Sequence, residues 1–158
     1  MPSPAERLAQ LGIELPPVAT PLGVYVPALA HAGLVYTSGQ LPLIAGDLVA
    51  QGVVGHRDGD VTPERANECA RTAALNAIAA AADAAGGIDN IVSIVKLTGF
   101  VASAPGFTAQ PGVVNGASGL LGEIFGDEGR HARSAVGVTA LPLGAPVEIE
   151  LTVAVSTA

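Results

Sequence analysis

The chain contains no tryptophan, one methionine and one cysteine, and aromatic residues make up only 3% of its 158 positions. Its interior must be built from Ala, Val, Leu and Ile, which demands close approach between elements. Cys69 has no partner with which to form an intramolecular disulfide, and its setting in NECARTAALN reads as a buried helix position rather than a nucleophile. Positive charge is scarce as well. Six arginines and the single Lys96 stand against fourteen acidic residues, for a formal charge of −7. Such a field repels phosphate backbones, so nucleic acid is not an expected partner. No segment is long and apolar enough to cross a bilayer, and no basic stretch precedes an apolar run near the N-terminus. No membrane partner and a cytoplasmic location are therefore expected. His31, His56 and His131 lie far apart with no second cysteine to join them, which leaves no zinc-ligand spacing and no expected metal. No glycine-rich phosphate-binding loop follows a strand.

What the chain has in quantity is small and apolar residues: 49% are hydrophobic, with 20 glycines and 12 prolines. This length and composition support one core and one domain. Residues 1–20 read as a proline-punctuated arm, with one short helical turn over Pro4 to Leu11 and an extended stretch behind it, and residues 21–158 as the domain. VYVPALA and LVYTSGQ read as strands around a turn at His31 to Gly33, with a weaker strand in DLVAQGVVG. Thr62 can cap the orphan amides of a helix, Pro63 suits its first position and Glu64 complements its dipole. Ala66, Ala70, Ala73, Ala77 and Ala81 give that helix a face of small side chains, and Gly86-Gly87 stops it after Ala85.

IVSIVKLTGFVAS is apolar and β-branched enough for a buried central strand. In VVNGASGLLGEIF, Val113, Ala117, Leu120, Leu121, Ile124 and Phe125 share one helical face despite three interior glycines. Packing must hold this helix more than propensity does. SAVGVTAL and VEIELTVAV, joined by PLGAP, read as an antiparallel pair. The order of elements predicts an α+β fold, a mixed sheet with two helices packed on one face, in which a strand, helix and parallel strand make a right-handed crossover. The other face of that sheet is expected to be buried against further copies of a chain this poor in charge.

Arg133 is the most informative single residue. It enters the strand of small residues in HARSAVGVTALP and has no acidic neighbour within four positions, so its guanidinium is available to hold a carboxylate. Glu148 and Glu150 follow at period two in VEIELTVAV and face the same side. Two such carboxylates raise each other's pKa, which suits a general base or acid near neutrality. A fixed cation and a candidate base on neighbouring strands point to small-molecule acid chemistry. A small carboxylate-bearing metabolite is the expected partner.

GVYVPALAHAGLVYTSGQLP (Gly23 to Pro42), AAGGIDNIVSIVKLTGFVAS (Ala84 to Ser103) and ARSAVGVTALPLGAPVEIE (Ala132 to Glu150), in this order and spacing, carry a resemblance. From about Pro21 to Val155 the chain resembles the RidA/YjgF family of reactive-intermediate deaminases, also known as endoribonuclease L-PSP. The resemblance implies a chorismate-mutase-like fold, a homotrimer with ligand clefts between adjacent subunits, and hydrolysis of 2-imino or enamine acids to 2-oxo acids and ammonia. No cofactor is implied.

Position by position, Arg133 corresponds to the arginine that binds the substrate carboxylate, followed by the small residues Ser134 and Ala135 at a turn facing the oxyanion. Glu148 corresponds to the glutamate that positions the attacking water, with Glu150 as a neighbour in the pocket. Tyr25, Gly39 in SGQ, and Asn115 correspond to residues of the cleft. There are departures. Val24 stands where many members have proline, and Asn115 lies one residue further from Arg133 than is typical. His131 replaces a proline two positions before the arginine and so lines the pocket in this reading. Together with the long connection FTAQPGVVNGASGLLGEIFGDEG, these departures imply a distinct branch and leave the substrate open. A second reading is a non-catalytic trimer of the same family that binds 2-oxo acids or regulates through them. A third, ribonuclease activity, is opposed by the acidic charge.

Overall fold

In the computed structural model, which describes residues 1–21 and 23–157, the elements run α1 (Pro4–Leu11), β1 (Ala28–His31), β2 (Leu34–Thr37), β3 (Leu43–Ile44), β4 (Asp47–Leu48), α2 (Pro63–Ala85), β5 (Ile91–Ala102), α3 (Gln110–Phe125), β6 (Ala132–Val138) and β7 (Val147–Val155). The boundary expected at position 21 borders Leu22, which lies outside the described residues, as does Ala158.

Local chemistry sets the helix ends. The Thr62 hydroxyl accepts the Arg65 amide at 3.1 Å, Pro63 takes the first position of α2, and Gly86 closes it in the left-handed conformation. In α1 the Ser3 hydroxyl accepts the Glu6 amide while the Glu6 carboxylate accepts the Ser3 amide, a reciprocal cap. The Ala5 amide donates to Asp89 at 2.9 Å and Leu8 is buried, so the N-terminal helix is tied to the body.

Five strands form one sheet in the order β1-β2-β7-β5-β6, and β3 pairs with β4 in a separate two-stranded ribbon. Ala32 and Gly33, both at positive φ, make the two-residue turn of the β1–β2 hairpin. All pairings in the large sheet are antiparallel except β5 with β6. The final two strands are therefore not the antiparallel pair that their short connection predicts. β5 lies between them, parallel to β6 and antiparallel to β7. The reason is that α3 must return the chain over the sheet to lay β6 parallel beside β5, after which β7 fills the gap between β2 and β5.

The helix-facing side of the sheet is the core. Val147, Ile149, Leu151 and Val153 of β7 are buried, as are Leu97 and Val101 of β5, beneath the alanine face of α2, where Ala66, Ala70, Ala73, Ala77 and Ala81 are wholly inaccessible. α2 and α3 approach so closely that a Cβ on Gly116 would overlap the Asn67 carbonyl oxygen. Arg71 bridges the same pair of helices through two contacts to the Glu123 carboxylate, at 2.8 and 3.2 Å. On the opposite side of the sheet Tyr36, Val92, Val95 and Val136 remain exposed. β5 lies between β7 and β6 but is buried on one side only, because the helices cover a single face of the sheet and leave Val92 and Val95 exposed. Among the described residues no helix is long and apolar enough to cross a membrane.

Candidate functional site

The residues singled out in the sequence gather in two groups on opposite sides of the sheet. The first is built on β7. Its alternation sends Val147 and Ile149 into the core and leaves Glu148 and Glu150 on the open face, across from Phe100 and Thr98. Glu148 is half-buried, and that burial, seconded by the Glu150 carboxylate, pushes its carboxyl above the ordinary value.

Gly39 lies against the same side chain. A Cβ there would overlap Glu148 Oε1 and stand 2.7 Å from its Cδ, so the absence of a side chain at position 39 is what makes room for the carboxylate. The strand-like pairing of Gln40 with Ile149, at 2.8 and 2.9 Å, holds this approach in register. Just beyond, buried Asn76 of α2 donates to the Leu41 and Leu43 carbonyls at 2.9 and 3.0 Å and pins the segment to the helix layer.

Tyr25 comes to this place from a bend rather than from a strand, since Pro27 has no amide for the ladder and β1 begins only after it. The bend is fixed by Ser38, whose hydroxyl donates to the Val26 carbonyl at 2.6 Å and whose amide donates to Pro27 at 2.8 Å. Tyr25, Gly39 and Glu148 line one cavity of about 190 Å³ together with Pro21, Gln40 and Leu41. Larger grooves of about 600 and 510 Å³ lie against the N-terminal arm and include none of these residues.

The second group sits where β6 meets α3. Arg133 shares a row with Leu97 and Leu151, on the helix side of the sheet, at the edge formed by β6. Its Nη1 donates to Asn115 Oδ1 at 2.7 Å and to Ser118 Oγ at 3.3 Å. His131 joins the group, with Nε2 2.9 Å from Ser118 Oγ and Nδ1 2.6 Å from the Gly129 carbonyl oxygen. Arg133 makes no ion pair among the described residues.

Ser134 and Ala135 are not in a turn. They lie within β6, where Ser134 faces the open side and accepts from Lys96 Nζ at 3.1 Å, while Ala135 packs beside the core on the helix side. The sequence reading missed Ser118. The signal that could have found it is its i+3 relation to Asn115, which puts two polar side chains on one edge of a mostly apolar helix.

Arg133 and Glu148 therefore do not meet within one chain. Glu148 belongs to the row of Phe100 and Val136 on the open face, whereas Arg133 projects from the other, and β5 separates their strands. Among the described residues no three His, Cys, Asp or Glu side chains come together as metal ligands. Cys69 is buried, and its burial pushes the thiol above its ordinary pKa, as befits a packing residue.

A family profile described as "YjgF/chorismate mutase-like, putative endoribonuclease" matches residues 5–153. The chain is 41% identical over 147 residues to Protein TCP17 of Trypanosoma cruzi, covering 92% of this chain and 90% of that protein. Among solved structures it is similar to protein Atu1372 of Agrobacterium tumefaciens, of unknown function, with 40% identity, a TM-score of 0.84, and 95% and 91% of the two chains covered. An endoribonuclease candidate from Shewanella oneidensis matches with 36% identity, a TM-score of 0.91 and coverage of 98% and 100%. The YjgF gene product of E. coli is more distant, at 26% identity and a TM-score of 0.64 over 89% and 94%. On the profile that spans nearly its whole length, and on relatives of this similarity, the chain belongs to the YjgF/chorismate-mutase-like family.

Proposed function

We propose that the protein is a cofactor-independent deaminase that hydrolyses 2-imino or enamine acids to 2-oxo acids and ammonia, in clefts between the subunits of a homotrimer. The observation that carries this reading is the division of the site. A guanidinium with no ion pair among the described residues stands on one side of the sheet, and a carboxyl raised by burial, in a cavity with Tyr25 and Gly39, stands on the other. Neither group is complete alone. A symmetric assembly through the open sheet face, where Tyr36, Val95 and Val136 are exposed, can bring the Arg133 group of one copy to the Glu148 group of the next.

In such a cleft Arg133 grips the ligand carboxylate. An enamine acid first takes a proton from solvent at C3 and becomes the iminium. Glu148 takes a proton from water as the water oxygen bonds to C2 of the iminium and the C=N pair moves to nitrogen, giving a neutral carbinolamine. Glu148 then returns the proton to nitrogen, the C–N bond breaks with its electron pair on nitrogen, and the carbinolamine hydroxyl passes its proton to the departing ammonia, which leaves as ammonium, as the C2 carbonyl forms. The raised carboxyl suits both transfers, since it is a better base than an ordinary glutamate and a usable acid afterwards. The endoribonuclease name borne by relatives fits this chain poorly, because a charge of −7 opposes a polyanion. The same chemistry, on a soluble metabolite and with one buried thiol, accords with a cytoplasmic location.

The test is the rate of pyruvate formation from freshly generated 2-aminoacrylate, above the spontaneous rate, by the wild type and by Glu148→Gln. Glu148→Gln is expected to lose about 10² to 10⁴ in rate with little change in affinity for a 2-oxo acid. A wild type that binds 2-oxo acids without accelerating hydrolysis refutes the enzyme and leaves a binding or regulatory trimer. A monodisperse monomer in light scattering at micromolar concentration refutes the shared cleft.

A further inference from the structure

We infer that Ser118 and His131 are positioning residues for Arg133, which fix the edge of its guanidinium that meets a ligand carboxylate. The inference rests on the reading of Arg133 as the carboxylate clamp. It follows from where each proton must lie. His131 Nδ1 is 2.6 Å from the Gly129 carbonyl oxygen, which can only accept, so Nδ1 carries hydrogen. In the neutral ring Nε2 is then an acceptor, and the Ser118 hydroxyl, 2.9 Å away, donates to it. With its hydrogen committed, the hydroxyl turns its lone pairs elsewhere. Arg133 Nη1 donates into one of them at 3.3 Å.

Nη1 carries two hydrogens, and Asn115 Oδ1 takes the other at 2.7 Å. That nitrogen is saturated. Nε and Nη2 have no partner among the described residues, and their outward N–H bonds run parallel along one edge, as a two-toothed carboxylate contact requires. A ligand must therefore bind side-on, at the Nε–Nη2 edge. The anchor of the chain is rigid as well. Gly129 is buried so close to α3 that a Cβ on it would overlap the Leu121 carbonyl oxygen, which holds the carbonyl facing His131 in place. Without Ser118 the guanidinium is held at Nη1 by exposed Asn115 alone, and rotation about its last torsions would blur the fork.

The experiment is calorimetry on the full chain with 2-oxobutyrate and with its neutral amide. Ser118→Ala is expected to weaken 2-oxobutyrate about tenfold, the scale of one hydrogen bond to a charged group, and to leave the weaker amide within about twofold. Ser118→Thr, which keeps the hydroxyl, restores affinity for the acid, whereas Ser118→Cys, similar in size and a poor acceptor, does not. His131→Leu weakens the acid, and His131→Gln, whose side-chain oxygen can accept from Ser118, recovers part of it.

Ser118→Ala with wild-type affinity, or with equal loss for acid and amide, overturns the inference. Melting curves show whether a variant is folded, and if Ser118→Ala is not, the contrast of Thr with Cys decides. Arg133→Lys separates the two levels of the argument. If it binds 2-oxobutyrate as the wild type does, the clamp itself is wrong. If it fails to bind while Ser118→Ala binds normally, only the positioning role falls.

Discussion

Gly39→Ala should abolish most activity while leaving the fold intact. The added Cβ would stand 2.7 Å from Glu148 Cδ and 3.0 Å from its Cγ, whereas an ordinary carbon contact is about 3.4 Å or more, so the carboxyl carbon must retreat by about 0.7 Å. The obstacle is the far end of a flexible side chain that opens onto a cavity, so Glu148 can swing aside at a stability cost below the roughly 1–3 kcal/mol of overpacking a rigid core. Its displaced carboxylate is another matter. A misplacement of about 1 Å costs a catalytic group on the order of 10²-fold in rate, so turnover of 2-aminoacrylate should fall by about that factor. Pyruvate formation measures the rate, and a thermal melt alongside it measures stability. Turnover within about twofold of wild type, in a folded variant, would refute the argument that the bare Gly39 backbone sets the position of the base.

Arg133→Lys should lose most affinity for 2-oxo acids in calorimetry while the assembly stays intact in light scattering, because a point ammonium cannot reproduce a planar two-toothed contact. Glu148→Gln should also change stability with pH. The carboxyl titrates higher in the folded chain than in the unfolded one, so its stabilising effect is full below the unfolded pKa and is lost as pH rises through the folded one. The variant should therefore melt above the wild type at pH 7 to 8, and the gap should close below about pH 4. Two glycines of α3 should respond with opposite signs in thermal melts. Gly116→Ala forces the two helices apart against the Asn67 backbone and should cost about 1–3 kcal/mol, whereas Gly122→Ala has open space around its new methyl group and should gain about 0.5–1 kcal/mol from helix propensity.

The elements whose causes are local could be read from the residues alone. Thr62, Pro63 and Gly86 fix the ends of α2 through a cap, a pre-set dihedral and a left-handed stop, and the alanine spacing fixes which face it buries. The alternation in VEIELTVAV likewise fixed that Glu148 and Glu150 share a face. Strand order was not legible, because PLGAP is short enough for a hairpin and only the return of α3 over the sheet inserts β5 between β6 and β7. For the same reason the sequence put Arg133 and Glu148 on neighbouring strands, and the folded chain sets them on opposite faces. Tyr25 and Gly39 could be matched to a resembled family. That Gly39 makes space for the Glu148 carboxylate depends on a contact across more than a hundred residues, which no local pattern encodes. Ser118 was legible only as one of two polar residues three apart on α3. Its place in the site depends on tertiary packing, which brings His131 to one side of its hydroxyl and Arg133 to the other.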